Sequence, residues 1–309
     1  AAHHFDVVSI SFGGYLDRTD PEQEAIYQAY VTSVNNARKA GTLIVAAAGN
    51  EHTRIGKGGQ VLSHGTLTLP GDEVADYYGY WETPGGIPGV VMVSATGNVV
   101  AAPSATCATG TFEGGSATCK RATDAHQAKG IGKQDQLTYY SNYGPRIDIA
   151  APGGARKFNL PNIDGGGTAG FPDTTVDGTT AFEEFSITSN WAFEIPCTYD
   201  LPSPQFYSGE CYSSIQGTSM ATPHVSAVAG LVASAKPWLR HHPDAITAVL
   251  KATARGAHNT TQPLSATDTS PADRTGADCP TGYCHLGGRA ISDREAYGAG
   301  IVDAAAAVR

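Results

Sequence analysis

The stretch Gly-Thr-Ser-Met-Ala-Thr-Pro-His, residues 217–224, runs directly into the apolar, helix-compatible segment 225–235 (VSAVAGLVASA). Ser219 at such a junction stands at a helix amino end, where unpaired amides and the helix dipole favour developing negative charge. That placement suits a nucleophile. Gly217 lets the backbone approach a substrate closely, and the pattern puts Pro223 in the first turn, where proline is tolerated. A bare Gly-Thr-Ser describes equally well a serine that only caps a helix, so the specificity lies in all eight residues.

Working outward, the apolar run 7–12 (VVSISF) is closed by Gly13-Gly14. After Pro21 a helical pattern places Ile26, Tyr30, Val34 and Ala37 about one turn apart, Gly41 ends it, and 43–48 is a second apolar run. Continuous apolar strands flanking an amphipathic helix indicate a parallel sheet buried on both faces, joined by a right-handed crossover. Further strands are expected at 90–95 (VVMVSA) and about 147–150. Helices are expected to start near Ser219 and to run from about Pro243 to Ala254. The fold class is therefore α/β.

Three polar stretches, about 98–136, 155–214 and 256–296, separate these elements and hold the six cysteines. Loops beyond about 15 residues are uncommon in compact domains unless functional, stapled or structured in themselves, so these are expected to be disulfide-stapled surface insertions. Fifteen connectivities exist for six cysteines, and locality favours Cys107 with Cys119, Cys197 with Cys211, and Cys279 with Cys284. No Cys-x-x-Cys spacing supports zinc instead. Disulfides imply an oxidising, extracellular destination.

A chain of 309 residues with 41% hydrophobic content can bury a sizeable core. Its net charge of -9 argues against nucleic acid or an anionic membrane as a partner, and no apolar run approaches the length of a membrane span.

At the end of the second apolar run stands Ala46-Ala47-Ala48-Gly49-Asn50-Glu51, where open α/β sheets place their ligands. Asn50 can donate its amide to an oxyanion there, or can simply shape a turn. Its co-occurrence with Ser219 decides between the two. Together the segments resemble the subtilisin-like serine proteases, the subtilases. Residues 217–224 are similar to that family's nucleophile segment, 46–51 to its oxyanion-asparagine segment, and 7–14 to the strand that walls its primary specificity pocket. Segments 90–97 (VVMVSATG), 140–153 (YSNYGPRIDIAAPG) and 297–304 (YGAGIVDA) are similar to further family segments.

The resemblance implies a subtilisin-like parallel sheet flanked by helices, with residues 1–309 forming the carboxyl-terminal part of one catalytic domain. It implies Ser219 as nucleophile and Asn50, with the Ser219 N–H, as oxyanion hole. Losing that asparagine costs about 10²–10³ in turnover in subtilisin itself. Ser11, Phe12 and Gly13 would form one pocket wall and pair with the substrate backbone, and Ala47, Ala48 and Gly49 the other. Such small linings suggest a roomy pocket for a large hydrophobic side chain, with Glu51 tolerating a basic one at the rim.

One departure from the family is large. Its aspartate and histidine motifs lie upstream of the strand that here begins at Val7, so both are expected on a separate amino-terminal fragment of the same protease. Ser63-His64-Gly65-Thr66 spells the histidine motif but follows the asparagine segment and precedes Pro70-Gly71 too closely to start a long helix. His224 lies five residues past Ser219, about 140° around a helix, and so points away. His3, His4 and Asp6 sit near a terminus expected to fray.

In subtilisin, deleting the serine or histidine lowers turnover near 2 × 10⁶-fold, leaving about 10³–10⁴ over water. The expected function is a secreted endopeptidase acting on protein or peptide substrates, nearly inert without its amino-terminal part. The alternative is a catalytically inactive truncated fragment acting as a binding or scaffold module. An α/β-hydrolase would need Gly-x-Ser-x-Gly, which is absent. No cofactor is required. Calcium would suit a secreted protease with long loops, but no Asp-x-Asp-x-Asp-Gly loop occurs and no ligands are assigned.

Overall fold

A computed structural model describes residues 4–63, 76–97, 135–138, 140–154, 187–191, 206–207, 210–259 and 291–309. Its centre is a parallel sheet of β1 (Val7–Ile10), β3 (Leu43–Ala47), β5 (Val91–Thr96) and β6 (Ile149–Pro152), in the order β1-β3-β5-β6. The sequence reading is met, with boundaries shifted by one or two residues.

Helices cover both faces, and the strands' period of two sorts their side chains between them. Leu43 and Val45 of β3, Val91, Val93 and Ala95 of β5, and Ile149 and Ala151 of β6 face one layer. That layer comprises α2 (Thr218–Ala235), α3 (Pro243–Thr253) and the closing α5 (Ala304–Val308), which contribute Val225, Val228, Val232, Ile246, Leu250 and Ala307. Ile44 and Ala46 point the other way, onto α1 (Pro21–Lys39). Asp20 caps α1 by accepting from the amides of Glu22 and Gln23.

The buried stripe of α1 is rotated from the expected one. Tyr27 and Val34 are buried whereas Ile26 is 45% exposed. The Arg18 guanidinium lies over both the Tyr27 and Trp81 rings, and this stacking gives Tyr27 its place inside.

Beyond β1 the chain enters β2 (Gly14–Leu16), which pairs antiparallel with β4 (Trp81–Thr83) so that Tyr15 lies opposite Glu82. A second antiparallel sheet, β7 (Ile187–Trp191), β8 (Phe206–Tyr207) and β9 (Glu210–Ile215), lies within the stretch read as an insertion, and β9 leads into α2. That stretch therefore carries structure of its own. A short helix α4 (Asp293–Tyr297) packs with Leu137 and Ile291 against Ala150, so the ends of the other two polar stretches join the core. Cys107, Cys119, Cys197, Cys279 and Cys284 lie outside the described residues, and Cys211 is in β9.

One buried charge cluster ties the layers together. The Arg146 guanidinium donates to four carbonyls, those of Gly85, Gly86, Ile87 and Val90, and to Asp148 at 2.6 Å. Asp148 also receives Lys251 at 2.5 Å and the Met92 N–H at 3.0 Å. Burial alone would raise the Asp148 carboxyl, but Arg146, Lys251 and the Met92 amide together hold it below the usual carboxylate range. Arg146→Leu would strand four carbonyls and a buried carboxylate, so a loss of about 3–5 kcal/mol is expected in denaturant unfolding. A loss below about 1 kcal/mol would contradict this account.

Candidate active site

Ser219 is the second residue of α2, and its amide makes no hydrogen bond among the described residues. Its hydroxyl donates to the Ser11 carbonyl at 2.9 Å, and the Ser11 hydroxyl donates to the Ser219 carbonyl at 2.8 Å. This exchange has a cause in the sequence. Pro223 stands inside α2, one turn later than the sequence pattern suggested, and it lacks the N–H that residue i+4 would give the Ser219 carbonyl. Ser11 supplies the missing donor from β1's end.

Asn50 is fixed in a comparable way. Its Oδ1 accepts from the Thr218 amide and from the Thr218 hydroxyl, both at 2.9 Å. An amide N–H demands an acceptor, so this contact settles which way the Asn50 side chain faces. The Asn50 Nδ2 is left as a donor with no partner among the described residues. Two open N–H donors, Asn50 Nδ2 and Ser219 N, thus belong to groups joined directly to the serine's own turn.

A cavity of about 120 Å³ adjoins them, lined by Ser11, Phe12, Gly13, Ala47, Gly49, Asn50 and Ser219 and also by Tyr15, Glu51 and Glu82. It is smaller than the slender walls suggest because these last three side chains occupy it. Ala48 is fully buried beneath, in the cluster with Ile55 and Met92, and does not line the cavity. Phe12 is 68% exposed at its edge.

The cavity wall is held by a polar network. Tyr15 donates to Glu51 Oε2, which also accepts from the Asn50 amide at 2.7 Å and from Asn142 Nδ2 at 3.3 Å. Asn142 Nδ2 further donates to the Ala48 carbonyl at 2.6 Å, and its Oδ1 accepts from Thr53. Gly49, at φ +97°, is required here: a β-carbon would stand 2.4 Å from Asn142 Nδ2 and 2.8 Å from Glu51 Oε2. Burial raises the Glu51 carboxyl despite these bonds, and burial pushes Glu82 up to about 8, with the nearby Glu51 charge adding to the rise.

The other histidines and acids read from the sequence are elsewhere. His224 points its Nδ1 at the Met220 carbonyl of its own helix, 2.7 Å away, and Asp6 is paired with Arg240 and His241. Ser63 accepts from the Arg54 amide, and residues 64–66 fall outside the described set. Among the described residues no group of three or more His, Cys, Asp and Glu side chains gathers as a metal site. Thr218, Tyr15, Glu82 and Asn142 had no role in the sequence reading. Asn142 lies within a family-like segment, but its partners are about 90 or more residues away in sequence.

The parallel α/β sheet thus places a serine at a helix start with an open amide donor beside it. The subtilase family model matches residues 1–283, and the chain belongs to the subtilase family of serine proteases. No curated protein matches the sequence. Among solved structures it is similar to a protease from Pseudoalteromonas arctica (25% identity, TM-score 0.46, covering 98% of this chain and 50% of that one). It is also similar to a lanthipeptide protease (18%, TM-score 0.48, 98% and 60%). A mutant of the epidermin leader peptide processing serine protease from Staphylococcus aureus (20%, TM-score 0.50, 98% and 50%) shares the fold. The chain spans 50% to 60% of the length of these structures.

If Pro223 creates the need for Ser11, the two are energetically coupled. Ser11→Ala is expected to cost about 1 kcal/mol, and clearly less in a Pro223→Ala background, where the helix supplies its own N–H. Equal costs in both backgrounds, measured by denaturant unfolding, would contradict the coupling.

Proposed function

We propose that this chain is the serine-bearing part of a subtilisin-like endopeptidase. Ser219 attacks the scissile carbonyl, and Asn50 Nδ2 with the Ser219 N–H receives the oxyanion. The observation that carries this reading is the Thr218 clamp on Asn50, which aims an otherwise unengaged amide donor from the residues that also carry the nucleophile. A donor fixed before reaction needs no reorganisation as charge develops.

The base and its orienting aspartate come from an amino-terminal polypeptide of the same protease. Two features favour this. Ser219 donates to a backbone carbonyl in place of a histidine, and β1 pairs only with β3 among the described residues, leaving one edge open to a further parallel strand. In this reading a histidine Nε2 on that polypeptide draws the Ser219 proton away from Ser11 as the hydroxyl attacks, then returns it to the leaving amine. The open backbone of Ser11, Phe12 and Gly13 pairs with an extended peptide substrate. The six cysteines fit an extracellular setting.

The test is labelling by a fluorophosphonate with intact-mass and peptide mapping, on this chain alone and together with its amino-terminal portion. Labelling of Ser219 only in the presence of that portion, abolished in Ser219→Ala, is the expected result. Asn50→Ala should lower turnover by about 10²–10³ while leaving the label on Ser219. An unlabelled Ser219 with both portions present would leave an inactive binding module as the better reading.

A further inference from the structure

Asn50 stands in the middle of the loop Ala48 to Thr53 that leaves the carboxyl end of β3, and the side chain of Asn142 is built across the neck of that loop. Its Nδ2 donates to the Ala48 carbonyl at 2.6 Å, two residues before Asn50. Its Oδ1 accepts from the Thr53 N–H at 2.9 Å and from the Thr53 hydroxyl at 3.0 Å, three residues after it. A backbone N–H demands an acceptor and a carbonyl a donor, so these contacts fix which way the Asn142 amide faces. Nδ2 also meets Glu51 Oε2 at 3.3 Å, and that oxygen accepts the Asn50 N–H at 2.7 Å. The side chain of Asn142 therefore holds the chain on both sides of Asn50 and the carboxylate that holds Asn50's own backbone.

The backbone around Asn142 is committed to the same loop. Its N–H donates to the Gly49 carbonyl at 3.1 Å, the Tyr143 N–H to the Thr53 carbonyl at 3.0 Å, and the His52 N–H to the Tyr140 carbonyl at 2.8 Å. Asn142 is 0% exposed, and burying an amide is costly unless its hydrogen-bonding groups are used. Here both kinds are used, and apart from a bond to the Tyr15 hydroxyl at 2.7 Å every side-chain bond of Asn142 among the described residues goes to residues 48–53. Gly49 completes the fit, because a β-carbon there would collide with the Asn142 amide.

We infer that Asn142 is a positioning residue for the oxyanion donor: it holds the loop of residues 48–53 so that Asn50 Nδ2 stays aimed beside the Ser219 N–H. That role rests on the protease reading above. Asn142 does not line the cavity beside Ser219, so it acts through Asn50 and not on substrate. Thr218 and Asn142 divide the work, the first fixing the Asn50 side chain at its Oδ1 and the second fixing the backbone that carries it. A donor stabilises the developing oxyanion only at hydrogen-bond distance, and a displacement of about 1 Å can cost about 10²-fold in rate.

Such a role has a kinetic signature. Loosening the loop weakens a contact made only in the transition state and leaves ground-state binding along Ser11, Phe12 and Gly13 in place, so kcat falls while KM stays nearly constant. Because the effect passes through the Asn50 amide, it has nothing to act on once that amide is removed. Support of the fold alone would instead lower the share of folded enzyme, an effect blind to the side chain at position 50.

The experiment is a double-mutant cycle on the complete protease, amino-terminal portion included, with kcat and KM for a peptide substrate referred to active serines counted by fluorophosphonate titration. Asn142→Ala should lower kcat about 10- to 100-fold with KM changed less than about threefold, and should lower kcat less than about twofold in an Asn50→Ala background. Equal factors in the two backgrounds, a loss carried by KM, or a kcat indifferent to Asn142→Ala would overturn this inference while leaving the protease standing. If Asn142→Ala yields no titratable serine, Thr53→Val takes its place in the cycle. It removes one hydroxyl donor to Asn142 and keeps the Thr53 N–H, so a loss in kcat of about two- to fivefold is expected, absent with Asn50→Ala. Equal losses in both backgrounds, or none in either, would again overturn the positioning role. An Asn50→Ala protein with unchanged kcat would overturn the oxyanion reading and this one with it.

Discussion

The missing N–H of Pro223 is the constraint on which the site depends. It interrupts the α2 ladder at the Ser219 carbonyl, and the orphaned oxygen is satisfied by the hydroxyl of Ser11, at the end of the edge strand. A helix interior normally closes on itself and owes nothing to its neighbours. Here the helix must be completed by the strand, so the turn of Ser219 and the cavity wall are set relative to one another by a bond rather than by packing alone. Thr218 extends the same logic to the third side by holding Asn50 from the end of β3. Three segments, two of them more than 160 residues from the helix in sequence, are thereby locked around one of its turns.

The central layer was legible because its signal is local. Runs at 43–48 and 90–95 are apolar on both faces, which only a doubly covered strand requires, and the prolines at Pro21 and Pro243 mark helix starts that the structure keeps. Ser219 and Asn50 draw attention in the sequence for the same reason, since each sits in a contiguous string. What the sequence did not show is where side chains meet. The sequence reading gave Glu82 no role, and only the pairing of β4 with β2 brings it beside Ser219. The rotation of α1's buried face depends on Arg18 stacking between two rings, one of them 63 positions away. The antiparallel sheet at 187–215 shows no clear alternation in sequence, so its stretch reads as a stapled insertion.

The pocket illustrates how a lining can mislead when only its small members are visible. Gly13, Ala47 and Gly49 argue for space, but a cavity's volume is set by what projects into it from all sides. Tyr15, Glu51 and Glu82 project into this one, and Gly49 is small because the Tyr15, Glu51 and Asn142 network presses against it. The glycine is thus a consequence of the polar network and not evidence of an open slot. The carboxylates that fill the space also change its character from apolar to acidic.

The resting contact of Ser219 bears on how much must change for catalysis. Its hydroxyl hydrogen bond to the Ser11 carbonyl is a single neutral one at a half-buried position, worth about 1 kcal/mol net. A histidine nitrogen offered from outside would compete with that carbonyl at little cost. The other Ser11 bond, from its hydroxyl to the Ser219 carbonyl, would persist when the first is broken. The proton donor can therefore swing between acceptors while the backbone that carries it stays fixed. A hydroxyl rotor is thus an adjustable element within a framework whose backbone positions are held by other bonds.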